Sequence, residues 1–167
     1  SKGGIYNEQG LDLTAVAAHK KQTGSLTDFA GAKNITNAEL LELPVDVLVP
    51  GALENVLTAD NAEKVKAKLI VEMANGPTTP EADAIFAKRN IPVIPDILAN
   101  SGGVCVSYYE WYQNMNNEAW SKEDVLEKLS KQIKQAFNDV YELQKKYNTT
   151  FRNAAYVLAA QRIIDKM

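Results

Sequence analysis

Residues 68–74, Lys-Leu-Ile-Val-Glu-Met-Ala, form a short run in which apolar and β-branched side chains predominate. Similar runs stand on either side of it, at Val45–Pro50 and Ile91–Asp96. Nearly continuous hydrophobicity, rather than alternation, is typical of strands that are buried on both faces of a parallel sheet. The three runs therefore predict three parallel strands.

Helical patterns occupy the two gaps between these runs. The first gap contains Asp60–Lys66, where Asp60 is the expected N-cap residue. The second contains Pro80–Arg89, where Thr79 precedes a proline at the first helical position. Because strands and helices alternate, the pattern predicts βαβ units with right-handed crossovers, and hence the α/β fold class.

Further helices are predicted upstream and downstream of the strands, at Asp12–Thr23, Asn37–Glu42, Val104–Met115, Lys122–Tyr147 and residues 150–166. The first is expected to be amphipathic and to end at Gly24. The helix 122–147 carries apolar residues in steps of three and four. This stripe is compatible with a coiled coil, but its three heptads favour packing against a sheet.

The composition of the chain argues against several classes of function. The chain has 167 residues, 46% of them hydrophobic, and a formal net charge of −3. No window approaches the roughly 18 apolar residues of a membrane span, and no lysine and arginine cluster offers a basic face to nucleic acid. With Cys105 and His19 as the only cysteine and histidine, a disulfide framework and multi-cysteine zinc sites are excluded. We expect no nucleic-acid, membrane or metal partner.

Each predicted strand is followed by a loop that contains glycine and asparagine. The asparagines are Asn55, Asn75 and Asn100, and amide side chains both donate and accept hydrogen bonds. Because ligands of open α/β sheets bind at the carboxyl ends of the strands, the three loops predict one polar, uncharged cleft. A metal would require carboxylates, and these loops offer only Glu54 and Asp96. Plain turn chemistry is the alternative for each loop taken singly.

The sequence lacks the usual phosphate-binding elements. None of its nine glycines forms a GxGxxG motif, and no P-loop with its lysine is present. Ser107, Glu110 and Asn114 share one face of the predicted helix that follows the third loop, so Ser107 is expected to face the cleft. The residues alone therefore indicate an α/β domain with a ligand cleft and no complete catalytic set.

Two stretches carry a specific family resemblance: Glu72–Asp83 and Ala99–Trp111. Ser1–Asn7 and Arg152–Tyr156 agree with the same pattern. With these residues the chain resembles the C-terminal, coenzyme-binding part of the glutamate/leucine/phenylalanine/valine dehydrogenase family. It departs from the family pattern at three positions. The family more often has alanine where Gly51 stands, glycine where Met73 stands and alanine where Ser101 stands.

The resemblance implies a fold and a domain organisation. It implies a truncated Rossmann-like parallel sheet with a helical C-terminal segment. Residues 1–115 would form an incomplete dinucleotide-binding domain. Residues 116–167 would form C-terminal helices that pack on this domain or bridge to an absent substrate domain. The chain does not begin with methionine, which predicts processing or a longer parent chain.

The resemblance also implies roles for individual residues. Asn75 and Asn100 match positions that contact the nicotinamide ribose and carboxamide of NAD or NADP. Gly51 and Ala52 match the loop beside the adenosine half of the coenzyme. Ser107 matches a position that contacts the side-chain carboxylate of glutamate. No residue of this chain matches a catalytic position, because the family's catalytic lysine and aspartate lie in its N-terminal substrate domain.

The expected activity of the intact protein is therefore the NAD(P)-dependent oxidative deamination of glutamate to 2-oxoglutarate and ammonia. Tyr108–Trp111 resembles the glutamate-type version of this helix, which favours glutamate over a branched apolar amino acid. The family resemblance further implies a homohexamer, and the cytoplasm is the default location. We expect residues 1–167 alone to be inactive, to bind NAD weakly or not at all, and to associate through an exposed sheet edge. A stand-alone, non-catalytic α/β module that binds a nucleotide or a protein partner is the alternative.

Overall fold

The computed structural model describes residues 3–167 and divides the chain into two compact units. The first unit runs to Val45 and includes Lys64–Ala67, and the second comprises Asp46–Glu63 and Lys68–Met167. Ser1 and Lys2, where the family resemblance begins, lie outside the described residues. The division into domains at residues 115 and 116 stays a prediction.

The first unit consists of two short strands and two helices. These are β1 (Gly4–Tyr6), α1 (Leu13–Thr23), β2 (Lys33–Ile35) and α2 (Asn37–Leu41). The strands pair antiparallel, with Ile5 opposite Asn34. This two-stranded sheet was not predicted from the sequence, because a three-residue strand is too short to show a hydrophobic period.

Local capping signals place both helices of the first unit. Asp12 accepts hydrogen bonds from the N–H groups at the start of α1, and Gly24 ends the helix with a φ of 75°. Thr36 and Glu39 form a capping box at α2. The prediction that α1 is amphipathic is wrong, since none of its residues is buried and its apolar positions form no stripe.

The second unit contains the predicted parallel sheet. Its elements run β3 (Val47–Leu48), α3 (Ala59–Ala62), β4 (Leu69–Val71), α4 (Pro80–Lys88), β5 (Val93–Ile94) and α5 (Asp96–Ala99). The three strands pair in the order β3-β4-β5, and both pairs are parallel. The predicted α/β class and the parallel arrangement are confirmed. The ladders are short because Pro50 and Pro95 have no N–H to donate.

The first crossover helix is shorter than predicted and begins earlier. Thr58, rather than Asp60, is its N-cap residue. The Thr58 N–H donates to Asn61 Oδ1 across 2.9 Å, and Asn61 Nδ2 donates to the Val56 carbonyl across 2.8 Å. The Asn61 side chain thus provides the hydrogen bonds at the start of the helix, and Asp60 lies within the first turn. The second crossover helix is confirmed at its N-terminus, where Thr79 accepts from the Ala82 N–H.

Three longer helices complete the second unit: α6 (Gly102–Asn116), α7 (Lys122–Tyr147) and α8 (Phe151–Ile164). Leu98, Val140, Ala154 and Ala155 form a buried cluster in which α5, α7 and α8 meet. The C-terminal half of α7 therefore packs within the second unit, but its main partners are the helices α5 and α8 and not the sheet that the sequence favoured. Among the described residues, no helix is both long and apolar enough to cross a bilayer.

Candidate functional site

The loops that follow β4 and β5 meet through two amide side chains. Asn100 Nδ2 donates to Asn75 Oδ1 across 2.7 Å and to the Met73 carbonyl across 3.3 Å. The loop after β3 joins them, because the Pro50 carbonyl accepts from the N–H groups of Met73 (3.0 Å) and Ala74 (2.9 Å). The predicted convergence of three loops at the carboxyl edge of the sheet is confirmed.

The Asn75–Asn100 pair retains free hydrogen-bonding capacity. Among residues 3–167, no hydrogen-bond partner faces Asn75 Nδ2 or Asn100 Oδ1. The two bonded side chains therefore offer one free amide donor and one free amide acceptor. This is the complement of a primary carboxamide, which offers one acceptor oxygen and one donor nitrogen, and it also suits a hydroxyl pair. The donor set fits the nicotinamide ribose half of a dinucleotide.

Gly51 and Ala52 lie in the adjoining loop. Ala52 and Asn75 line the same surface pocket, together with Met73 and Glu54. Gly51 lies against Met73: a Cβ atom at Gly51 would stand 3.8 Å from Met73 Cβ and 4.0 Å from the Val49 carbonyl oxygen. These are ordinary van der Waals distances, so the alanine that is more usual at this position in the family would fit.

Asn55 does not join the amide pair. Its N–H donates to the Gly76 carbonyl across 2.9 Å, and its φ of 52° is a turn conformation. Gly76 also has a positive φ, of 54°, and its N–H donates to Asp96 Oδ2 across 2.8 Å. The left-handed backbone at Gly76 favours glycine directly after Asn75. Asn55 thus supports the loop without taking part in the pair.

Ser107 lies on α6, in the second turn after the Asn100 loop, and its side chain is exposed. Among residues 3–167, no side-chain hydrogen bond of Ser107 is present, so its hydroxyl is available to a ligand. Contact between Ser107 and a substrate carboxylate stays a prediction. Tyr108 and Trp111, on the same helix, are more than half exposed.

The aromatic residues of α6 divide into packed and exposed groups. Tyr109 is buried against Trp120, and its hydroxyl donates to Gln132 Oε1. Burial raises the pKa of the Tyr109 hydroxyl, and the nearby Cys105 adds to this. Tyr109 is therefore a packing residue, whereas Tyr108 and Trp111 face solvent.

Sequence reasoning missed the charged centre of this unit, which is Arg152 on α8. Its guanidinium lies 2.6 Å from Glu72 Oε1, 3.1 Å from Asp83 Oδ2 and 3.4 Å from Asp96 Oδ1. Burial disfavours the charged form of Arg152, but the hydrogen bonds with Glu72 and Asp83 outweigh it and raise the pKa above its ordinary value. Arg152 is therefore a permanent cation beneath the loops.

The contacts with Arg152 account for the carboxylates of Glu72 and Asp96. Glu72 is completely buried, and its second oxygen accepts from the Asp96 N–H across 2.8 Å. Asp96, which sequence analysis weighed as a metal ligand, has its oxygens directed to Arg152 and to backbone N–H groups. Its carboxylate therefore holds the loops together. The only sequence signal for this was the Arg152–Tyr156 resemblance, because no spacing rule pairs residues this far apart.

Comparison with known proteins identifies the family. The sequence model of the glutamate/leucine/phenylalanine/valine dehydrogenase family matches residues 1–167. Similar proteins include the glutamate dehydrogenase of Thermotoga maritima, which is 52% identical over 98% of this chain. The NAD-specific glutamate dehydrogenase of Clostridioides difficile is 47% identical over 98% of the chain. The NADP-specific glutamate dehydrogenase of Synechocystis is 44% identical over 100% of it.

The fold agrees with a solved structure from the same group. The hetero-hexameric glutamate dehydrogenase of Thermus thermophilus, in its leucine-bound form, superposes with a TM-score of 0.90 at 33% identity, over 100% of this chain and 39% of that one. The chain likewise spans 39% of the length of the Thermotoga and Clostridioides proteins and 41% of the Synechocystis protein. This chain belongs to the glutamate/leucine/phenylalanine/valine dehydrogenase family.

Proposed function

We propose that this chain is the coenzyme-binding part of an NAD- or NADP-dependent glutamate dehydrogenase. Three relatives that match nearly the whole chain are named glutamate dehydrogenases, one of them NAD-specific and one NADP-specific. These names support a nicotinamide coenzyme and glutamate as the substrate of the intact protein. The choice between NAD and NADP is left to experiment.

The observation that carries the proposal is the hydrogen bond between Asn75 and Asn100 at the carboxyl ends of β4 and β5. In the proposal, the free Nδ2 of Asn75 and the free Oδ1 of Asn100 bind the carboxamide and ribose of the nicotinamide half. Their mutual hydrogen bond fixes the two amides before the coenzyme arrives, which lowers the entropic cost of binding. When bound, the coenzyme supplies the hydride acceptor for the oxidation of glutamate.

The other site residues receive roles that extend from this pair. Gly51 and Ala52 form the wall beside the adenosine half, where the short side chains let the coenzyme approach the backbone. Ser107 donates its exposed hydroxyl to the side-chain carboxylate of glutamate. The proton transfers would be carried out by the lysine and aspartate that the family places in its N-terminal substrate domain, outside this chain. We therefore propose no catalytic role for any residue of this chain.

Association into a homohexamer is part of the same proposal. The similarity to a hetero-hexameric glutamate dehydrogenase of known structure supports six subunits, and their identity is part of the proposal. Analytical ultracentrifugation of the full-length protein that contains this chain tests it directly. A sedimentation coefficient of a hexamer is expected, and a monomer at all concentrations would contradict it.

The activity is tested by incubating the full-length protein with an amino acid and either NAD or NADP, and following the absorbance of the reduced nicotinamide. Glutamate should be oxidised faster than leucine, phenylalanine or valine. Substitution of Ser107 by alanine should raise the KM for glutamate by about 10- to 100-fold, because a hydrogen bond to a charged group contributes roughly 1.5–3 kcal/mol. A preference for an apolar amino acid would contradict the substrate, and binding without any oxidation would favour the non-catalytic module.

A further inference from the structure

Arg152 occupies the position from which one side chain reaches both loops of the candidate site. Its three carboxylate partners come from three elements: Glu72 from the end of β4, Asp83 from α4 and Asp96 from the start of α5. Glu72 is 0% exposed and the Arg152 side chain is 18% exposed. A guanidinium that is held by several carboxylates has little freedom to move, because its planar fork of donors fixes the geometry.

Asp96 transmits the position of Arg152 to the β4–α4 loop. Its Oδ1 faces Arg152 Nη1 at 3.4 Å, and its Oδ2 accepts from the Gly76 N–H at 2.8 Å. Gly76 directly follows Asn75. The carboxylate of Asp96 therefore bridges Arg152 and the backbone that carries one half of the amide pair.

The same contacts fix the other half of the pair. Asp96 is the first residue of α5, whose C-cap residue is Asn100. The Asp96 N–H donates to Glu72 Oε2, and Glu72 Oε1 lies against Arg152. Both ends of the 2.7 Å amide contact are thus connected to one guanidinium through Asp96.

Asp83 provides an internal comparison. It forms an ion pair with Arg152 of similar length, and its side chain is 19% exposed against 16% for Asp96. Its position on α4, however, gives its carboxylate no hydrogen bond to the loops of the site among residues 3–167. The two aspartates therefore share a partner and a degree of burial, and they differ in their link to Gly76.

We infer that Arg152 is a positioning residue for coenzyme binding, which acts through Asp96 on the Asn75–Asn100 pair. This inference rests on the proposed function, since it assigns the coenzyme to that pair. Arg152 itself touches no coenzyme atom in this account. It holds Gly76 and α5 so that the two amides face the nicotinamide half together.

The test compares Asp96→Asn with Asp83→Asn in the full-length protein. An asparagine at 96 has a single acceptor oxygen, so it can serve Arg152 or the Gly76 N–H but not both. We expect D96N to raise the KM for the coenzyme by about tenfold, the effect of losing one hydrogen bond of roughly 1.4 kcal/mol. The kcat and the KM for glutamate should change by less than about twofold, and D83N should leave the coenzyme KM within about twofold.

A second readout does not depend on the coenzyme. Hydrogen–deuterium exchange of the unliganded protein should become faster in the segments 73–79 and 97–103 in D96N, and stay at the wild-type rate there in D83N. Arg152→Lys keeps the charge but loses the fork of donors, so it should resemble D96N in both readouts.

The outcomes separate the inference from the proposed function. If the wild-type protein binds coenzyme and D96N matches D83N in KM and in exchange, the inference is overturned. If the wild-type protein binds no nicotinamide coenzyme, the proposed function fails and the role in coenzyme binding falls with it. Faster exchange in both D96N and Arg152→Lys, but not in D83N, would then still show the coupling of residue 152 to the loops.

Discussion

Arg152 Nη2 lies 2.6 Å from Glu72 Oε1, although the two residues are 80 positions apart in the chain. The contact joins the last helix, α8, to the end of the central strand, β4. Because Glu72 is completely buried, its carboxylate depends on this guanidinium and on the Asp96 N–H for compensation. The charge that stabilises the centre of the sheet is thus provided by a residue near the end of the chain.

Substitution of Glu72 by glutamine is therefore expected to destabilise the protein. Glutamine removes the shortest charged contact of Arg152, which keeps Asp83 and Asp96, and the lost charge-assisted hydrogen bond costs about 1.5–3 kcal/mol. The free energy of unfolding in urea measures this. Asp46→Asn is the control, because Asp46 forms a 2.7 Å ion pair with Lys68 in which both side chains are about 80% exposed. No measurable change is expected there, and equal losses in the two variants would contradict the account.

Substitution by alanine should destabilise the protein at Gly76 but not at Gly51. Gly76 has a φ of 54°, so Gly76→Ala forces an L-residue into the left-handed region and is expected to cost about 1–2 kcal/mol. A Cβ atom at Gly76 would meet no atom within 4 Å, so the loss comes from the backbone alone. Gly51→Ala meets only ordinary contacts and should be neutral within about 0.5 kcal/mol. Urea unfolding of both variants checks the difference, and a larger loss at Gly51 would refute it.

Phe86 fixes α4 against the core of the second unit. Its side chain is fully buried, and Phe86→Ala is expected to cost about 3–5 kcal/mol through lost burial and the cavity that remains. Leu126→Ala on α7 is the matched control, because Leu126 is 51% exposed and should lose under about 1 kcal/mol. The measurement is the shift of the urea midpoint at constant slope. Similar shifts for the two variants would show that the packing described for α4 is wrong.

The start of α7 should respond to acid. Hydrogen bonds from the Ser121 side chain and backbone lower the pKa of the Asp124 carboxyl below its ordinary value. A carboxyl with a lowered pKa stabilises the folded state above the unfolded pKa, and this contribution is lost as the pH falls through the folded pKa. Asp124→Ala should therefore lower the Tm at pH 6, and the difference from wild type should shrink below about pH 3.9. A difference that is constant from pH 6 to pH 2 would contradict this.

Elements set by local signals were predictable from the sequence. Thr79 with Pro80 fixes the start of α4, and Ser121 with Asp124 fixes the start of α7. Both motifs act over three or four residues, so their physics is contained in a short window. The same is true of the apolar run at residues 68–74, which contains β4. The burial on both faces that this run predicted is not present, since Ile70 is buried while Leu69 and Val71 are only half-buried. The convergence of the loops then follows from parallel strand direction alone.

Features that depend on competition or on distant residues were not predictable. Asp60 is an acceptable N-cap residue when its short window is considered alone. In the structure, however, the Asn61 side chain hydrogen-bonds to the Thr58 N–H and to the Val56 carbonyl, and these bonds make Thr58 the N-cap residue. Five elements separate Glu72 from Arg152 along the chain, and a sequence pattern carries no record of which carboxylate a distant arginine will meet. Asn55 and Asn75 both follow a predicted strand and lie near a glycine. Asn55, however, hydrogen-bonds to the neighbouring loop through its backbone N–H and not through its side chain.

The central claim is that Asn75 and Asn100 act as one unit in coenzyme binding. The direct measurement is a double-mutant cycle on the Kd of reduced nicotinamide coenzyme, followed by fluorescence in the full-length protein, with Asn75→Ala, Asn100→Ala, the double variant and the exposed Asn138→Ala as control. Each single variant should weaken binding by about tenfold, and the double variant should be little weaker than either single one, because the pair is already broken. Wild-type affinity in both single variants, or a loss equal to that of Asn138→Ala, would contradict the claim.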